Sequence, residues 1–162
     1  MADIQTLNSG NNAAFTSADQ VLLPNQSFTQ IPNALALPNE GGCKLGMAVL
    51  IDQPEDTVLF TPGKATELNS SQVAGVVAVI DGTTVIAQYG GVVTLPTDTW
   101  DSIAGTSGGL EADVVYYLSA TTFGFLTSVP PSMTGTYVSR VGIALSPTQL
   151  LVLLSYPIGP HA

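Results

Sequence analysis

Gln72-Val73-Ala74-Gly75-Val76-Val77-Ala78-Val79-Ile80-Asp81-Gly82-Thr83-Thr84-Val85-Ile86-Ala87-Gln88-Tyr89 is the stretch that decides the fold. Two runs dominated by Val, Ile and Ala flank an Asp-Gly pair. Branching at Cβ restricts χ1 and suits a side chain to the pleated surface of a sheet. Asp-Gly supplies the positive φ values that a two-residue type I′ loop requires. The spacing predicts an antiparallel hairpin, with strands over 72–80 and 85–89 joined at Asp81-Gly82.

The same pattern extends in both directions. Upstream, 45–51 and 58–60 are apolar runs bounded by Gly, Pro or Asp; downstream, 92–95, 114–119, 125–127, 137–145 and 150–155 follow suit. One helix interrupts them, at Thr97–Ala104. Thr97 is placed to cap it, Asp98 to complement its dipole, and Gly105 to end it. Many short strands with turn residues every eight to twelve positions or so predict an all-β domain, a small β-barrel or a jelly-roll-like sandwich. Without long helices between the strands, a parallel α/β sheet is excluded.

Residues 1–43 differ in character. Asn8-Ser9-Gly10-Asn11-Asn12 is polar and turn-like, Pro24, Pro32 and Pro38 recur among Asn and Gln, and no basic residue precedes Lys44. Proline at this spacing excludes a continuous helix and interrupts a central strand. Short edge pairings over 20–23 and 28–31 remain open to it. The expectation is an extended N-terminal arm over 1–43, able to lie along a neighbouring subunit, and a β domain over 44–162.

Composition narrows the function. Charged residues make up 9% of the 162-residue chain, against roughly 25% in an average soluble domain. Ser, Thr, Asn, Gln and Gly take their place. Lys44, Lys64 and Arg140 are the only cations, and the formal charge is −9. No basic patch for nucleic acid can be built from so few, and nothing favours an anionic membrane surface. The N-terminus carries no positively charged segment followed by an apolar one, as a signal peptide would. Cys43 is the single cysteine, so no intrachain disulfide is expected, and synthesis in a reducing cytoplasm fits.

Chemistry is scarce. The one histidine, His161, lies next to the last residue, which leaves a nucleophile without an obvious base and rules out sites built on several His and Cys. Asp52, Glu55 and Asp56 could offer oxygens to a calcium ion, but their spacing fits no known loop and a solvated turn accounts for them. Asp98 and Asp101 flank Trp100 and invite comparison with a glycosidase pair; three residues apart on a helix, cap and dipole roles account for them equally well. Trp100 is read as the anchor that fixes the helix to the core, with carbohydrate stacking as its alternative role. Gly41-Gly42, Gly90-Gly91 and Gly108-Gly109 lack the context of a phosphate-binding loop and read as tight turns. No catalytic, cofactor or metal residue is therefore assigned.

Gly91-Val92-Val93-Thr94-Leu95, the Trp100 helix, Gly109-Leu110, Tyr116-Tyr117-Leu118-Ser119, Gly124-Phe125-Leu126-Thr127, Pro130-Pro131 and Val141-Gly142-Ile143-Ala144-Leu145-Ser146, with the partner run Leu150–Leu153, occur in an order that resembles a β module of tailed-bacteriophage and cyanophage virion proteins. In that family the module belongs to head decoration (cement) proteins, head fibres and tail-associated fibres. The resemblance implies a non-enzymatic protein of the virion's outer capsid surface, commonly a homotrimer, bound to the major capsid protein and stabilising the shell. A fibre module that binds a host receptor or glycan is the alternative, with Trp100, Tyr116 and Tyr117 as stacking candidates. Alternation along 114–119 turns the adjacent tyrosines to opposite faces, so at most one meets a ligand.

Overall fold

The computed structural model describes residues 20–21, 31–39, 42–55 and 57–162. Most of the expected arm, residues 1–19 and 22–30, lies outside the described residues. Within it, β1 (Gln20–Val21) pairs antiparallel with β2 (Ile31–Pro32), in register Gln20 to Pro32.

The first five-stranded sheet contains β3 (Ala34–Pro38), β4 (Ala48–Asp52), β5 (Leu59–Pro62), β6 (Gly75–Asp81) and β7 (Thr84–Gln88), in spatial order β3-β7-β6-β4-β5. The second contains β8 (Gly91–Thr94), β9 (Val115–Leu118), β10 (Leu126–Thr127), β11 (Arg140–Ser146) and β12 (Gln149–Val152), in order β10-β9-β11-β12-β8. All pairings are antiparallel. Among the described residues the fold is all-β with one short α-helix, as the sequence indicates, and it is a sandwich because neither sheet closes into a barrel. The chain crosses between the sheets once, at 88–91, a simpler connectivity than a jelly roll's.

The central hairpin forms, with its loop one residue later than expected. Asp81 pairs with Thr84, so Gly82 and Thr83 make the two-residue loop. Only Gly82 has positive φ, at 56°, which corresponds to a II′ arrangement with glycine first rather than I′. A bulge at Ala78 shifts the register between Val77 and Val79. It leaves Val77 and Ala87 in the main core while Val79 and Ile86 join a small second cluster with Ala34 and Ala36.

β3 lies within the stretch expected to be an arm. Ala34-Leu35-Ala36-Leu37 pairs along its whole length with β7, and Ala34 is buried. The sheet therefore reaches back before Lys44. The flanking prolines are tolerated because β3 is an edge strand, where a missing N–H removes no ladder bond.

The main core lies between the sheets. Val49, Phe60, Val77 and Val85 of the first sheet meet Val93, Tyr116, Leu118, Val141 and Leu150 of the second. Helix α1 spans Thr97–Ala104 and closes one end with Trp100 and Ile103. Its cap differs from expectation: Pro96, in extended conformation, holds the N-cap position, and no side chain caps the helix. Thr97 is instead the first helical residue. The Asp98 carboxylate accepts the Thr99 N–H at 2.9 Å and so satisfies one first-turn amide. The C-terminal segment folds back, with Val138 bridging Ile158 and the backbone of His161 bonded to that of Thr136 and Gly135.

Candidate functional site

The Asp98-Thr99-Trp100-Asp101 segment is committed to structure. Trp100 is 0% exposed, and its indole Nε1 donates to the Thr148 carbonyl at 3.1 Å. No face of the ring is open to a sugar. Asp101 Oδ1 accepts from the Gly109 N–H at 2.8 Å and the Thr106 hydroxyl at 2.9 Å, while Oδ2 accepts from the Gly108 N–H at 2.9 Å. The bond from Gly109 chiefly, with those from Gly108 and Thr106, outweighs desolvation and holds the carboxyl below its ordinary pKa. The two aspartates thus serve the two ends of the helix, and both amides of the Gly108-Gly109 turn donate to Asp101.

Tyr116 is 1% exposed, and its hydroxyl accepts the Glu111 N–H at 3.0 Å. Of the aromatic residues that sequence offered for stacking, only Tyr117 reaches the surface. Cys43 is buried with Sγ 3.4 Å from the Phe60 carbonyl, and desolvation raises its thiol pKa. Asp52 accepts the Gln53 N–H at 2.8 Å, Glu55 is exposed, and Asp56 lies outside the described residues. Among the described residues no group of three or more His, Cys, Asp or Glu converges on a metal-sized site.

Two surfaces stand out. The first is the outer face of the second sheet. Side chains alternate across a pleat, and the register sets Val92, Leu151, Ile143 and Val115 side by side on successive strands β8, β12, β11 and β9. Their opposites Val93, Leu150, Ala144 and Tyr116 are buried in the core. Leu153 extends the row, and Arg140 faces out opposite Tyr117, its Nε donating to the Leu153 carbonyl at 3.1 Å. A bulge at Leu145 leaves that side chain exposed too. No strand residue on this face is a carboxylate, in a chain of formal charge −9.

The second surface is an open groove of about 870 Å³ where the β4–β5 edge of the first sheet meets the C-terminal segment. Phe123 and Tyr156 line it and are strongly exposed. Sequence reasoning missed both. Each sits outside a strand, in Thr121-Thr122-Phe123-Gly124 and Ser155-Tyr156-Pro157. An aromatic residue within a turn-forming string was the available signal, since such a position has no core to enter.

No protein-family model matches the chain, and no curated protein matches it.

Proposed function

We propose that this chain is a structural protein of a virus particle, decorating the outer surface of a tailed-phage capsid as a cement protein. In this reading it binds the major capsid protein as a homotrimer, made in the host cytoplasm and stabilising the assembled shell. One observation carries the reading beyond the resemblance of the stretch from about Gly90 to Leu153 to virion β modules. The outer face of the second sheet carries a row of aliphatic side chains, and no strand residue on it is a carboxylate. Interfaces deplete charge at their centre, because an ion buried without a partner is costly. On a chain this acidic, such a face can be covered without trapping like charges. In this reading the residues before β3 serve as the arm and add contact to a neighbour.

The test is cosedimentation of the purified protein with heads stripped of it. Leu151→Asp puts a carboxylate in the middle of the row and is expected to abolish binding while circular dichroism and the melting transition stay near wild type. Removal of residues 1–19 is expected to weaken binding and leave the β domain folded. Full binding by the Leu151→Asp protein would overturn the assignment of this face.

A further inference from the structure

We propose that the groove between β4–β5 and the C-terminal segment is a binding site for a neutral glycan. Its volume, about 870 Å³, falls within the ~300–1,000 Å³ common for small-molecule sites. Tyr156 is 71% exposed and Phe123 56%, and both contribute to the lining. Left largely in water, the Tyr156 ring offers apolar faces to a ligand. The C–H face of a pyranose is the natural complement, since it covers a ring while leaving the sugar hydroxyls directed outward. On Phe123 the Lys64 ammonium lies 4.8 Å from the ring centroid, a cation–π contact on one face.

Polar groups complete the site. Glu67, Asn69 and Gln72 line the same groove, and their side chains make no hydrogen bond to any described residue. An amide offers a donor and an acceptor together, and a carboxylate offers paired acceptors, which suits the vicinal hydroxyls of a sugar. Asp52 and Glu67 are the charged residues of the lining, with no Lys or Arg among them. Even with Lys64 set on Phe123, two carboxylates outnumber the one cation at the groove, which disfavours sialylated, sulfated or phosphorylated glycans and favours a neutral one. An extended peptide laid along the edge of β5 is the competing occupant. That edge spans Leu59–Pro62 only, and its proline offers no donor, which favours the sugar.

The experiment is an amide-resolved NMR titration of the full chain with cellotetraose, maltotetraose and tetra-N-acetylchitotetraose, with sialyllactose as the anionic control. At least one neutral saccharide is expected to give saturable shifts at Asp52, Asn69, Gln72, Phe123 and Tyr156, with none from sialyllactose. Tyr156→Ala is expected to weaken that binding roughly tenfold; at so exposed a position it leaves the fold intact, which the unperturbed remainder of the spectrum verifies. Silence from every neutral saccharide at millimolar concentration, shifts centred elsewhere, or unchanged affinity in the Tyr156→Ala protein would each overturn the proposal. So would shifts at β5 produced only by a strand-forming peptide. Loss of head binding in Leu151→Asp leaves this site unaffected, so the two assignments fail separately.

Discussion

The Thr148 carbonyl accepts two hydrogen bonds, from the Trp100 indole N–H at 3.1 Å and from the Leu95 backbone N–H at 2.9 Å. A single carbonyl in the β11–β12 loop therefore holds the end of β8 and the helix that follows it. The neighbouring Pro147 carbonyl accepts the Leu110 N–H at 3.0 Å, so the exit from the helix is tied to the same loop. The buried indole is paired as buried polar groups must be, and the second sheet gains its end closure from this contact.

Trp100→Ala is expected to destabilise the domain by about 3–5 kcal/mol, and Trp100→Phe by about 1–3 kcal/mol through the lost N–H bond and the smaller ring. Urea unfolding measures both. Because Trp100 is the only tryptophan, wild-type unfolding also reports directly as a red shift of its emission. Near-wild-type midpoints for both variants would contradict the account of the core.

Asp101 predicts an acid-dependent component of stability. Its carboxyl titrates lower in the folded protein than in the unfolded chain, chiefly because of the Gly109 N–H bond. The stabilisation is then complete above the ordinary carboxylate range and is lost as pH falls through the folded pKa. Melting temperatures of wild type and Asp101→Asn are expected to differ by a steady margin near neutrality. That margin narrows below roughly pH 4. A margin independent of pH would show that the carboxylate's charge has no part in holding the Gly108-Gly109 turn.

Cys43 is expected to resist modification by a thiol-specific disulfide reagent in native protein and to react fully in denaturant. Burial keeps its thiol protonated and covered, and the thiolate is the reacting species. Rapid reaction under native conditions would mean that the loop carrying Cys43 opens far more readily than its packing against Phe60 implies.

The central hairpin was legible because two β-branched runs and a glycine turn agree with each other. Its loop moved by one residue because only Gly82 needs positive φ, and Thr83 can then complete a II′ turn. The helix limits 97–104 were legible from Asp98 and Gly105; the cap was not, because Thr97 and Pro96 compete for that position and an extended proline fits it. β3 was hidden because Ala34-Leu35-Ala36-Leu37 is short and lies between prolines. Only pairing with β7, some fifty residues away in sequence, makes it a strand. The row Val92–Leu151–Ile143–Val115 required the register of distant strands, which no local pattern carries. The same holds for the groove, whose lining comes from separate turns.

Immunogold labelling of intact virions carrying this chain tests the central claim most directly. Decoration of the shell is expected to spread label over the whole head, at many sites per particle. Label confined to the tail tip, or absent from the particle, would contradict it.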